Sequence, residues 1–234
     1  MYKRVLLKLS GEQLSGKFEI GIDPEIAGYF AEEIKASADS GCQIVLVVGG
    51  GNMVRGAELA KHGIKRVTAD QMGMLSGLIN SMAMTDIFES HNLTTRCLSN
   101  LFAPQVAESY SFRLAEKHLQ KGRVVIVAGG LGRPYFTHDT AAVNLALELG
   151  AEVVLKATKV DGVYDQDPAT SSNALKLETL SYQQAVENDA IKVMDKAALG
   201  LAMEQSMPLI IFDAFTQGNI KKAIYGQPIG TKIS

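Results

Sequence analysis

The sequence predicts an α/β protein, a three-layer αβα sandwich around a mostly parallel central sheet. Short runs rich in Val, Ile and Leu alternate along the chain with longer stretches of helical periodicity. Parallel strands need long crossovers, and crossover helices end up covering both faces of the sheet. With 234 residues, 47% of them hydrophobic, the chain has material for one sizeable core but not for two large independent domains. Residues 1–234 are therefore read as a single domain.

The first strand is expected from Arg4 to Leu9. Asp23-Pro24 then supplies an N-cap with proline at the first helical position. Ile26, Phe30 and Ile34 share one face of a helix that stops before Gly41. A strand from Gln43 to Val48 closes this βαβ unit. Further helices are expected from Gln71 to Glu89, Gln105 to Gln120, Asp139 to Leu149 and Asp195 to Gln205, with Gly122 and Gly150 ending two of them. Further strands are expected from Thr95 to Ser99, Arg123 to Ala128, Glu152 to Lys156 and Leu209 to Asp213. Between Gly162 and Ser181 the turn formers Asp165, Asp167-Pro168 and Ser171 to Asn173 predict loops or a small excursion.

A net charge of -2 provides no broad cationic surface, so nucleic acid is not expected as a partner. Cys42 and Cys97 stand far apart without a CxxC, which argues against a disulfide framework or a zinc ribbon and fits a cytoplasmic protein. No apolar run approaches the ~20 residues of a membrane span, and residues 1–9 make a poor secretory signal. The four histidines have no HExxH spacing, so no zinc centre is expected. Met72, Met74, Met82 and Met84 read as core or subunit-interface filler.

The chemistry gathers where strands end, which is where open α/β sheets bind ligands. Four strands run into glycine or charge: Lys8-Leu9-Ser10-Gly11, Gly49-Gly50-Gly51-Asn52 with Arg55-Gly56, Gly129-Gly130-Leu131-Gly132-Arg133, and Lys156-Ala157-Thr158-Lys159 before Asp161-Gly162. One such loop is an ordinary turn. Four side by side would form a rim of backbone N–H groups and cations suited to polyphosphate. Two familiar phosphate motifs fail here. Residues Gly11 to Phe18 match GxxxxGK, but Phe18 stands where a hydroxyl should hold Mg²⁺ and no helix signal starts at Lys17. GxGxxG fails because Val54 and Tyr135 occupy the third-glycine positions.

Period-2 alternation puts Lys8 on the Leu6 face of its strand, which favours a phosphate contact over an edge lysine reaching for solvent. Arg55, expected in the first turn of a helix after the triple glycine, is either a bidentate phosphate clamp or a solvated surface arginine. Lys156 and Lys159 carry weight as part of the cluster. Asp139 reads as a helix cap before Thr140-Ala141-Ala142. Asp195 either caps its helix or orients lysines and Mg²⁺.

Together these motifs resemble the amino acid kinase superfamily and, within it, the bacterial-type uridylate (UMP) kinases. The resemblance runs end to end. It rests on Lys8-Leu9-Ser10-Gly11-Glu12, Gly21-Ile22-Asp23-Pro24, Val48-Gly49-Gly50-Gly51-Asn52 with Arg55-Gly56, Pro134-Tyr135-Phe136-Thr137, Lys156-Ala157-Thr158-Lys159-Val160-Asp161-Gly162-Val163-Tyr164 and Asp167-Pro168. Asp70-Gln71-Met72-Gly73-Met74 and Val193-Met194-Asp195 separate UMP kinases from the acetylglutamate, carbamate and aspartate kinases of the same fold.

The resemblance implies reversible, Mg²⁺-dependent transfer of the ATP γ-phosphoryl group to UMP, in pyrimidine nucleotide biosynthesis. Lys8, Arg55 and Asp195 would be catalytic. Lys8, Leu9, Ser10, Gly11, Gly51 and Arg55 would meet the ATP phosphates, and Thr158, Tyr164 and Asp167 the ATP nucleoside. Gly50, Asp70 at the ribose, and Leu131, Gly132, Arg133, Pro134, Tyr135, Phe136, Thr137 and His138 would hold UMP. The N-terminal part would thus be mainly UMP-binding and the C-terminal part mainly ATP-binding. The family also implies a homohexamer inhibited by UTP. GTP activation stays open, because residues Ser15 to Gly21 lack the glycine-rich character of the family's responsive segment. Relatives usually carry Thr at Leu131, Asn at Arg133 and Thr or Ser at His138, so the pyrimidine-side loop is altered. Alternative readings are a kinase of this fold acting on a small carboxylate or carbamate, and a non-catalytic nucleotide sensor.

Overall fold

A computed structural model of the chain describes residues 1–166, 171, 173–188, 191 and 193–234, without the Ala57 side chain. The chain runs β1 (Arg4–Leu9), α1 (Gly11–Leu14), α2 (Pro24–Asp39), β2 (Gln43–Val48), α3 (Gly56–Lys61), α4 (Arg66–Ser90) and β3 (Thr95–Ser99). It continues through β4 (Glu108–Ser109), α5 (Phe112–Leu119), β5 (Val124–Ala128), α6 (His138–Glu148), β6 (Val154–Thr158), β7 (Val163–Tyr164), β8 (Lys176–Leu177) and β9 (Thr179–Leu180). The last elements are α7 (Tyr182–Glu187), α8 (Lys196–Glu204), β10 (Leu209–Asp213), α9 (Asn219–Ile224) and β11 (Thr231–Ile233).

Among the described residues, nine strands form one sheet in the order β4-β3-β5-β2-β1-β6-β10-β11-β9, and β7 and β8 form a small antiparallel pair. Only the β10–β11 pairing in the large sheet is antiparallel. Alternation along each strand divides the core. Val5, Leu7 and Leu9 pack with Ile44, Leu46, Val48 and the inner faces of α2, α4 and α9. Leu6 packs with Val45, Val47, Val154 and Ile211 beneath α5, α6 and α8. The sheet is thus covered on both faces, in the three layers expected. No helix among the described residues is long and apolar enough to cross a membrane.

Local chemistry explains the elements read correctly. Asp23 accepts the Glu25 N–H at 3.0 Å and Pro24 opens α2, as their order in the sequence required. Two helix starts need correction. The one expected at Gln71 lies earlier, at Arg66. The helix expected from Gln105 to Gln120 begins only at Phe112, because Ser111 caps it through the Leu114 N–H and residues 108–109 pair with β3 instead. The stretch expected as loops or a small excursion after Gly162 contains the small β7–β8 pair, outside the central sheet, and β9, which pairs with the distant β11. Pairing distant in sequence leaves little local signal.

Candidate active site

β5, β2, β1 and β6 are consecutive, parallel neighbours, so the four glycine- or charge-rich segments emerge along one sheet edge. The chain builds outward from β1 through β2 on one side and returns through β6 on the other. The β1–β6 boundary is therefore a topological switch point, where open α/β sheets form their binding crevice. Lys8 and Lys156 are register partners across that boundary.

Register places both lysines beneath α6, facing Asp139. Asp139 Oδ2 lies 2.6 Å from Lys156 Nζ, and Oδ1 lies 2.8 Å from Lys8 Nζ, the second contact being an ion pair rather than a well-aimed hydrogen bond. Lys156 also donates to the Val193 carbonyl. All three side chains are nearly buried. Burial pushes the Asp139 carboxyl up, but the ammoniums of Lys8 and Lys156 override it and hold the pKa down at about 2. Burial pulls the Lys156 ammonium down, with Asp139 opposing.

The reading of Asp139 as a helix cap is corrected. Thr137 is the cap: its Oγ1 accepts the N–H groups of Asp139 and Thr140 at 3.0 and 3.4 Å, which frees the Asp139 carboxylate for the lysines. Thr137 Oγ1 in turn donates to Asp195, and Thr140 Oγ1 lies 3.0 Å from Asp195 Oδ1. Asp195 does cap α8, accepting the Ala198 N–H at 3.0 Å, and the same carboxylate ties α8 to the start of α6 beside the lysines.

The glycines allow backbone to meet backbone. A Cβ on Gly11 would stand 2.4 Å from the Gly49 oxygen and 2.7 Å from the Gly51 nitrogen; one on Gly50 would stand 2.5 Å from the Gly73 oxygen of α4. Ser10 and Gly11 are thereby pressed against the triple-glycine turn. Lys8 and Gly51 line one recess of the cleft, and Gly51, Glu12, Arg55 and Lys159 line the adjoining one. Arg55 sits at the N-cap position of α3, one residue before the first turn expected for it, and its Nη2 lies 2.9 Å from Glu12 Oε1. The sequence reading assigned no role to Glu12.

On the far side, Asp70 of α4 accepts the Tyr135 N–H at 2.8 Å, which joins α4 to the 131–138 loop. Gly132 has φ 68° and packs on Asn100, while Leu131 and Pro134 are half-buried and Arg133, Tyr135 and Phe136 are exposed. His138 lines the recess beside Lys8 and the glycine turn. Its Nε2 is buried without a hydrogen-bond partner, close to where a Gly77 Cβ would stand. Burial, with Lys8 adding to it, lowers the His138 pKa to about 4.

A cleft of about 330 Å³ continues from Lys8 and Ser10 past Lys156 to Thr158, Lys159 and Gly162. Thr158 Oγ1 donates within its own turn, to the Val160 carbonyl at 2.6 Å. Tyr164 lies on β7, outside the central sheet, and its hydroxyl donates to Asp161 at 2.7 Å. The Leu9 side chain is wholly buried in the core, so only its backbone can face a ligand. Asp167 lies outside the described residues.

The amino acid kinase family profile matches residues 3–213. The chain belongs to the amino acid kinase family. Among solved structures it is similar to a UMP kinase from Bacillus anthracis, with 35% identity, TM-score 0.95, and coverage of 100% of this chain and 96% of that one. A UMP kinase from Ureaplasma parvum is 30% identical with TM-score 0.92, covering 100% and 99%. A uridylate kinase from Archaeoglobus fulgidus is 29% identical with TM-score 0.75, covering all of both chains. The chain thus combines this family's fold with a buried Lys8–Asp139–Lys156 cluster at the sheet's switch point.

Proposed function

We propose that this chain is a UMP kinase, transferring the γ-phosphoryl group of ATP to UMP to give ADP and UDP, reversibly. The observation that carries the reading is Lys8 and Lys156 side by side at the switch point, held by Asp139 and bordered by the triple-glycine turn, in a chain similar over its whole length to UMP kinases.

Phosphoryl transfer between two phosphates needs placement and charge neutralisation rather than a covalent nucleophile. The acceptor oxygen is already anionic, so no general base is required. Lys8, with the N–H groups of Ser10, Gly11 and the 49–51 turn, would stabilise the transferring group, and Arg55 would hold phosphate once it leaves Glu12. Lys156 would neutralise the donor phosphates, with Thr158, Tyr164 and Asp167 on the ATP nucleoside. Asp70 would bind the ribose of UMP, and Gly50 and the 131–138 loop would enclose the rest of it.

Among the described residues, no three His, Cys, Asp or Glu side chains cluster to hold a metal. Mg²⁺ carried on nucleotide phosphates needs one or two protein carboxylates at most. Asp195, held at the start of α6 by the Thr137 and Thr140 hydroxyls, would be a carboxylate available to the metal. Bound there, Mg²⁺ would neutralise charge developing on the phosphates.

The reading extends to a cytoplasmic homohexamer in pyrimidine nucleotide synthesis, with UTP as an inhibitor. The exposed stripe Leu75, Ile79 and Met82 on α4 supports a subunit contact there. A coupled ADP-release assay with UMP, CMP, acetylglutamate, aspartate and carbamate tests the activity. Turnover should appear with UMP, and ATP binding without ADP formation from UMP would sink the proposal. Lys8→Ala should raise the barrier by about 3 kcal/mol, roughly a hundredfold in kcat.

A further inference from the structure

Three contacts meet on Arg66, a side chain that no motif marks. Arg66 opens α4, and its Nε lies 2.7 and 2.9 Å from the two carboxylate oxygens of Asp70, one turn along the helix. Its guanidinium carbon stands 5.5 Å from the centre of the Tyr135 ring. Asp70 Oδ2 closes the set by accepting the Tyr135 N–H at 2.8 Å.

The bland alternative is an ordinary i, i+4 ion pair on a helix surface, which contributes little. Three features distinguish this one. The Asp70 side chain is only 12% exposed, so its carboxylate is not simply solvated. The arginine reaches both oxygens and also covers a ring, a combination its planar group favours. Tyr135 holds φ 68°, a left-handed conformation that a bulky residue adopts only when its surroundings enforce it. With its ring exposed, Tyr135 is held there by Asp70 at the backbone and Arg66 at the ring.

The acceptor count leaves room for a ligand. A carboxylate has roughly four lone-pair positions. Arg66 Nε uses one on each oxygen and the Tyr135 N–H a second on Oδ2, which leaves one on Oδ1 for an incoming hydroxyl.

We infer that Arg66 is a positioning residue that sets sugar specificity, locking Asp70 and Tyr135 into one unit so that the carboxylate meets the 2′-hydroxyl of the acceptor nucleotide's ribose. The site then prefers a ribonucleotide to its 2′-deoxy counterpart, because a group positioned to bond a hydroxyl is left unpaired when that hydroxyl is missing. The inference rests on the reading of Asp70 as the ribose ligand.

The test is steady-state kinetics with UMP and dUMP on the full chain and on Arg66→Ala, Arg66→Lys and Asp70→Asn. Arg66→Ala should raise the UMP KM about tenfold, keep kcat within about twofold and the ATP KM unchanged, and cut the UMP-over-dUMP preference about tenfold. Arg66→Lys, which keeps the charge but loses the planar group, should fall between. A wild-type UMP/dUMP ratio in both arginine variants would overturn the inference. So would ATP and UMP KM values rising together, because that marks a general structural role. Asp70→Asn separates the two claims. If it keeps the full preference for UMP, the ribose assignment itself fails. If it loses the preference while Arg66→Ala retains it, only the role of Arg66 fails.

Discussion

At the β1–β6 boundary, Lys8, Asp139 and Lys156 are nearly buried and share one carboxylate, whereas beside α3 the Arg55 and Glu12 side chains pair while 62% and 49% exposed. Both are ion pairs lining the proposed phosphate site, yet burial gives them different work. In the low-dielectric interior an unpaired charge is expensive, so the three buried groups stay where the fold sets them. In the exposed pair, water already competes with the partner, and an incoming phosphate can take the place of Glu12. One side offers a rigid socket, the other an exchangeable cation.

Removing the buried carboxylate is the strongest way to break this contrast. Asp139→Asn leaves two ammoniums adjacent with no anion between them and should cost about 3–5 kcal/mol in stability, with kcat falling at least about a hundredfold. Urea unfolding alongside single-turnover kinetics measures both. Stability and turnover close to wild type would mean that the buried cluster is no more demanding than the exposed pair.

The buried side should also carry the pH dependence. His138 is neutral in the fold because its pKa is lowered to about 4, so the unfolded chain binds more protons between that value and its ordinary 6.5. The contribution is therefore fully present above the unfolded pKa and is lost as pH falls toward the folded one. Between pH 7 and pH 5 the wild type should lose about 2 kcal/mol from this group, a loss that His138→Gln removes. Identical acid profiles of the two proteins in urea titrations would place the acid sensitivity elsewhere.

The smallest effect belongs to the exposed pair. Glu12→Gln should release Arg55 for phosphate and lower nucleotide KM by about two- to fivefold at low salt, in keeping with the worth of an exposed ion pair. The gain should shrink as salt rises and vanish in an Arg55→Ala background. An effect that survives without Arg55 would show that Glu12 acts on the nucleotide directly.

Much of the site could be read in advance because its signals are local. The glycines at 49–51, the cations at strand ends and the Asp23-Pro24 start each announce a conformation or a charge within a few residues. Asp139 was misread for a related reason: Thr137 and Asp139 are both good capping residues two positions apart, and sequence alone cannot say which one takes the cap. Arg66 stood in no motif and Glu12 had no role of its own, since each acquires meaning only from a partner on another segment or from the loop packed against it.

By itself, the order of apolar runs, helix starts and glycines determined that this chain folds as a covered parallel sheet with its polar groups at one edge. Backbone conformation and burial periodicity are short-range properties, legible in a window of a few residues. Only the tertiary structure decided that Lys8 and Lys156 become register partners, that one carboxylate serves both, and that Tyr135 is pinned to α4. Those facts depend on which distant segments meet, and the strength of each charge depends on how much water the fold excludes around it.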